Sequence, residues 1–182
     1  NSLTWVEVAS TGLYASFRRL TVFRAMGSSP SVGAVTIDFG AQTEVRCFWA
    51  ISEFANVDTS GTNGSGAVVQ SAVNSSSGAT SLTATLAAFG SADNATYGAQ
   101  AHSIAQATTP GTGFTEIHDV NTSGETGAIQ TQWRNDNDTS VDSSWADFTS
   151  AGAVALEIKF AAAGGAVAAA RSVNINQAVN RA

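Results

Sequence analysis

The sequence predicts an all-β fold, a β-sandwich of jelly-roll-like form with a non-globular C-terminal extension. Three observations carry that expectation. Apolar residues alternate with polar ones in short runs, and a period of two is that of a half-buried strand. Clusters of Gly, Ser, Thr, Asn and Asp, the residue types that turns demand, divide the runs. No segment before residue 160 sets apolar residues at helical spacing over a normal helix length.

Taken in chain order, strands are expected over 3–8 and 17–26, with a connection between them. The run 33–39 sets Val35, Ile37 and Phe39 against Thr36 and Asp38. Gly40 and Ala41 then lead directly into 43–51, so the two runs read as a hairpin. Residues 58–66, DTSGTNGSG, read as a long loop. A strand over 67–73, a loop over 74–78 (NSSSG) and a strand over 81–89 follow, the last with Leu82, Ala84 and Leu86 on one face. After a turn at 90–94 comes a strand rich in small residues, 95–104. Pro110-Gly111 marks a break, and strands over 114–120 and 128–134 flank a turn at 121–126. Residues 135–150 read as a polar loop interrupted by Trp145 and Phe148. The cleanest strand is 153–160: Val154, Leu156, Ile158 and Phe160 point to a core, and Ala155, Glu157 and Lys159 point to solvent. Regular short strands and frequent turns are the pattern of a sandwich or jelly roll.

The expected division is a sandwich domain over 1–160 and a tail or inter-subunit arm over 161–182. Alternation lapses in the tail, and Gly164-Gly165 would weaken a helix by ~1 kcal/mol each relative to Ala. Val173, Ile175 and Val179 are spaced by polar residues and could pair with a neighbouring subunit. A flexible tail is the competing reading. The chain does not begin with Met and shows no signal peptide, which suggests a processed product or a piece of something longer.

Composition narrows the function classes. A chain of 182 residues can bury a core without staples. Charged residues are 12% of it, about half the usual share, so hydroxyl and amide groups on exposed faces are expected to supply solubility. The net charge is −6 and Lys159 is the one lysine. Nucleic-acid binding, which needs a basic patch to displace counterions, is therefore not expected, and neither is an anionic membrane surface. No run of ~20 apolar residues suggests a membrane span. Cys47 is the single cysteine and lies in an alternating apolar run, which reads as a buried, inert thiol.

Chemistry-bearing motifs are sparse, and no enzyme activity and no cofactor are expected. His102 and His118 fall on different strands, lack HxxxH spacing and read as solvated. GxSxG is absent, and the 61–66 loop lacks the Lys-Ser/Thr of a phosphate cradle. Glycoside hydrolysis needs only two well-spaced carboxylates, for which Asp38, Glu44, Glu116 and Glu157 are candidates. Outward-facing strand carboxylates are ordinarily solubilising. Asp136, Asp138, Ser140 and Asp142 alternate like the first half of a calcium loop. Val141 stands where the turn glycine belongs, however, and Asp147 where the closing Glu belongs; a polar loop is the simpler reading. Trp145, in the polar setting VDSSWADF, is the expected exposed aromatic, and with Arg134 it could bind a glycan. Trp133 shares a face with Ile129 and Thr131 and reads as core. Five Asn-x-Ser/Thr sequons begin at Asn63, Asn74, Asn94, Asn121 and Asn137, each in or beside an expected loop, which is weak support for glycosylation.

Four stretches carry a resemblance: LTVFRAMGSSPSVGAVTIDF, FWAISEFANVDTSGTNGSGAVVQSA, ATLAAFGSADNATYGAQAH and TTPGTGFTEIHDV. The resemblance covers roughly residues 3–160. They resemble a β-sandwich domain of bacteriophage and environmental virus proteins, carried on virion surfaces or tails. The resemblance implies a viral structural role, as capsid decoration or tail surface, working through self-assembly at the virion surface or outside the cell. Its implied partners are further copies of the chain or other virion proteins. A carbohydrate-binding or adhesion module on a virion or cell surface is the alternative, with a glycan as partner.

Overall fold

The computed structural model describes residues 2–13, 18–27, 30–41, 44, 46–122, 124, 126–161 and 168–173. It is all-β, and no α-helix occurs among the described residues. The strands are β1 (Val6–Gly12), β2 (Arg19–Arg24), β3 (Ile51–Ala55), β4 (Val68–Thr85), β5 (Ala95–His102), β6 (Thr109–Pro110), β7 (Thr115–Val120), β8 (Ala128–Arg134), β9 (Ser140–Ile158) and β10 (Ala168–Val173). One main sheet runs β4-β9-β5-β8-β7, with β6 added to β9. The pairs β1-β2 and β3-β10 are separate two-stranded sheets. Every pairing is antiparallel.

Two strands are much longer than the alternation suggests. The NSSSG run lies inside β4, and most of the expected 135–150 loop belongs to β9. The two form one antiparallel ribbon, from Val68 opposite Ile158 to Thr85 opposite Ser140. Register shifts at Ser76/Ala79 and Ala79/Ser81 interrupt it midway. Bulges of this kind bend a strand and increase its twist. Gly78 lies at the bend, where a Cβ would sit 2.1 Å from the Phe148 ring. Polar, small residues mark this ribbon's corner rather than a break in the strand.

The ribbon folds back on itself. Gln70 Nε2 donates to the Ala87 carbonyl at 3.1 Å, Ala87 N donates to Gln70 Oε1 at 3.0 Å, and Asn74 Nδ2 donates to the Thr83 carbonyl at 2.8 Å. The first half of β9 and the second half of β4 therefore cover one face of the sheet that their other halves help to build. Leu82, Ala84, Leu86, Val141 and Trp145 pack there against Ala151, Ala153 and Ala155. The β1-β2 hairpin and β3 cover the opposite face. There Leu13, Leu20 and Val57 join Tyr97, Ala99, Val154, Leu156 and Ile158. Phe54 of β3 meets Tyr97 and Trp133 edge-on, at centroid distances of 5.6 and 6.4 Å.

Three further expectations need correction. The second half of β9 is buried on both faces, not one: every residue from Ala151 to Ile158 is inaccessible. Small residues at 151–155 make this possible, because layers can close on Ala and Gly from either side. Among the described residues the expected 33–39/43–51 hairpin does not form. None of the described residues in those runs before Ile51 joins a strand. The C-terminal segment also departs from expectation. Ala168–Val173 is a strand paired with β3 of the same chain, Val173 opposite Ile51, although Gly-rich, small-residue sequence there gave little strand signal. Of the proposed assembly residues, Ile175 and Val179 lie outside the described residues.

Candidate functional site

Strand parity divides β5 and β8 cleanly. Tyr97, Ala99, Ile129 and Trp133 face β1-β2 and β3. Thr96, Gln100, His102, Gln130 and Gln132 face the folded-over ribbon and are buried. These polar side chains, expected to face water, form an interior polar layer instead. Gln132 Nε2 donates to the Asp142 carbonyl at 2.8 Å, and Gly111 N donates to Gln132 Oε1 at 3.0 Å. Thr96 Oγ1 donates toward the carbonyls of Asp136 and Asp138, at 3.0 and 2.8 Å. The amide of Gln100, Gln130 Oε1 and Ser143 Oγ have no hydrogen-bond partner among the described residues.

His102 belongs to this layer. Its Nδ1 lies 2.8 Å from the Ile104 carbonyl and its Nε2 2.8 Å from Thr108 Oγ1. Burial lowers its pKa, opposed by the Ile104 carbonyl and by Asp119. Its ring lies 5.1 Å from that of Trp145. Trp145 is only 7% exposed, and its indole N–H donates to the Ala79 carbonyl at 2.9 Å. The expected exposed aromatic is thus a core residue, because β9 turns it inward onto β5. The glycan alternative loses its stacking ring. Trp133, expected in the core, does pack against it. His118 is buried too, with Nε2 donating to the Ile51 carbonyl at 2.8 Å. Both histidines are tied into the fold rather than solvated.

The acidic run does not assemble as a calcium loop. Arg134 takes its carboxylates: Nε donates to Asp136 Oδ2 at 2.6 Å and Nη1 to Asp138 Oδ2 at 2.7 Å. The opposite oxygens accept backbone N–H groups, Asp138 N on Asp136 at 3.2 Å and Ser140 N on Asp138 at 2.9 Å. Ser140 and Asp142 start β9, and Asp142 lies against Gly111. Among the described residues no three His, Cys, Asp or Glu side chains are placed to hold a metal. Arg134 also reaches the Thr112 carbonyl at 3.1 Å and lies 5.9 Å from the Phe114 ring centroid. Through Nε and Nη1 it ties the 112–138 corner together.

An open cleft of about 710 Å³ lies where β4 and β5 begin and β9 ends, lined in part by Val69, Ser91, Asp93, Asn94, Glu157 and Phe160. Glu157 is 1% exposed, not solvated as expected. Asn94 Nδ2 donates to its Oε1 at 2.5 Å and Gln70 Nε2 to its Oε2 at 2.6 Å. Buried carboxylates require such donors. The three side chains clamp β4, β5 and β9 together. Because Asn94 is buried and its amide is engaged, its sequon is closed to glycosylation. Lys159, at the rim, pairs with Asp58 at 2.6 Å. That ion pair, with Ser60, holds the Asp58 carboxyl well below the usual range. The cleft therefore holds a structural clamp and a rim ion pair. Cys47 is half-buried; burial, then Glu44, raises its pKa, so it is a poor nucleophile.

The remaining candidate surface is the outside of the molecule. Trp5, Phe23, Val32, Ile37, Phe39, Val69, Val73 and Phe148 are all exposed. Sequence reasoning missed this set, since alternation marks one apolar face without telling whether the chain covers it. The run of small residues at 151–155 was the one legible signal that another layer closes over β9. No protein-family model, curated protein or solved structure matches the chain.

Proposed function

We propose that this chain is a structural domain of a virus particle, a capsid-decoration or tail-surface domain that works by assembling with copies of itself. The observation that carries the reading is the exposed apolar set above, in a chain that is only 12% charged. Single exposed apolar residues are ordinary, but eight large ones left exposed on a protein poor in charge favour contact with other proteins. The interior supports the same role. Buried histidines, amides and the Glu157 clamp are spent on holding strands together, which suits a rigid building block. The viral assignment itself draws on the resemblance of residues 3–160 to virion β-sandwich domains.

Particles that package the gene for this chain should contain the chain as a stoichiometric component. Quantitative mass spectrometry of purified particles tests this. Absence of the chain from particles, with the protein present in infected-cell lysate, overturns the viral structural role.

A further inference from the structure

β4 is the outermost strand of the main sheet, and among the described residues it pairs with β9 alone. No strand among the described residues pairs with its other edge. Proteins usually blunt such an edge with Lys, Pro, inward charges or a covering segment. β4, VVQSAVNSSSGATSLTAT, has no charged residue and no Pro. Val69 and Val73 beside the edge are about half exposed, and the ladder with β9 runs without a register shift from Gln70 to Ser76. The opposite edge is guarded. β7 carries Glu116, His118 and Asp119, and the 46–51 segment runs alongside it. That segment is anchored by His118 to the Ile51 carbonyl and by Arg46 to Thr126 Oγ1 at 2.7 Å.

The chain also holds a strand-like segment without a sheet. Residues 33–39 alternate Val35, Ile37 and Phe39 with Thr36 and Asp38, yet no described residue over 30–39 joins a strand. Val32, Ile37 and Phe39 are exposed. In a settled strand the apolar face is covered, whereas here Ile37 and Phe39 stay exposed along with Thr36 and Asp38.

We propose that residues 33–39 of one copy add as an extra strand to the outer edge of β4 in a second copy. The inference rests on the self-assembly reading and specifies its contact. Seven extended residues span about 23 Å, which matches the unbroken ladder of β4 from Gln70 to Ser76. Backbone hydrogen bonds supply the attachment, and the alternating apolar side chains lie beside Val69 and Val73. The segment's single charge, Asp38, meets an edge with none. A contact about 23 Å long and one sheet thickness, ~10 Å, deep covers roughly 230 Å² per side. That is well short of the ~800 Å² per partner of a stable pair. One contact is therefore weak, and assembly depends on each copy donating to one neighbour and accepting from another. This arrangement is head-to-tail, and it closes into rings or extends as filaments.

Sedimentation velocity on the full chain tests it with Ile37→Lys, which disables the donor, and Val73→Lys, which disables the acceptor. Both positions are exposed, so melting temperatures should stay at the wild-type value. Wild-type protein should assemble with rising concentration, and each variant should associate about tenfold more weakly or worse. A mixture of the two variants should grow no further than dimers, because each retains only the half that the other lacks. Variants that assemble like wild type, or a mixture that grows past dimers, overturn the strand-addition contact and leave the self-assembly reading standing. Wild-type protein that is monomeric at every soluble concentration overturns both.

Discussion

Gly98 offers a direct test of the folded-over ribbon. It lies on β5 facing the second layer, and a Cβ there would come 2.4 Å from Val141 Cγ1 and 3.2 Å from Gln132 Cγ. Carbon atoms prefer 3.5–4.0 Å, so Gly98→Ala requires the layers to separate by about 1 Å or Val141 to leave its site. Val141 is fully buried and Gln132 is held by two hydrogen bonds, so neither yields easily. Overpacking of this kind costs about 1–3 kcal/mol. Replacing a mid-strand Gly returns about 0.5–1 kcal/mol of backbone entropy. The net expectation is a loss of about 1–2 kcal/mol, or a melting temperature lower by roughly 2–8 °C for a chain of this size. In a Val141→Ala background the obstructing methyl is gone, and Gly98→Ala should become neutral or stabilising. Urea denaturation of the four proteins in this cycle measures the coupling. Additivity within ~0.5 kcal/mol would show that residues 98 and 141 do not touch, and the doubled ribbon would be wrong.

Leu156→Ala should destabilise by ~2–5 kcal/mol, since Leu156 sits in the main core between β4 and β5; a loss under ~0.5 kcal/mol in urea unfolding would refute that placement. Gln100→Leu should stabilise by roughly 1–3 kcal/mol, because both polar atoms of the amide are buried without a protein partner. A clear loss in the same assay would mean that the amide is held by ordered water. His102 has a folded pKa below its ordinary 6.5, so the unfolded chain takes up the proton first. Its contribution to stability is complete above pH ~6.5 and is lost as pH falls below it, before most carboxylates titrate. A urea midpoint that is the same at pH 7.5 and pH 5.5 would contradict this. Excess chelator should leave the melting curve unchanged, since Arg134 already occupies Asp136 and Asp138; a fall in melting temperature would restore the calcium reading.

The period of two in residues 153–160 was enough to show that Val154, Leu156 and Ile158 face a core, because alternation is a local property of the strand. The same local rule identified Trp133 as core and the chain as all-β. It did not reveal that Ala155 and Glu157 are buried as well. Alternation sorts side chains into two faces, but whether a second layer covers the polar face depends on residues far away in sequence. Here that layer is the first half of β9 with the second half of β4, brought over by a bend at Gly78 and Phe148. The bend's residues, NSSSG and the polar 135–150 run, look like loop because Ser, Asn and Gly suit a bulge as well as a turn. The polar residues of β5 and β8 could not be placed from sequence for the same reason. Gln100, Gln130, Gln132 and His102 would solubilise an open sheet, and they become a buried polar layer once the ribbon closes over them. Conversely, 33–39 has the full sequence signature of a strand and no strand partner among the described residues. The sequence alone determined which segments favour extended backbone and which side of each is apolar. Only the tertiary structure decided which edges are paired and which faces are covered, because a strand is completed by hydrogen bonds to a neighbour that its own residues do not encode.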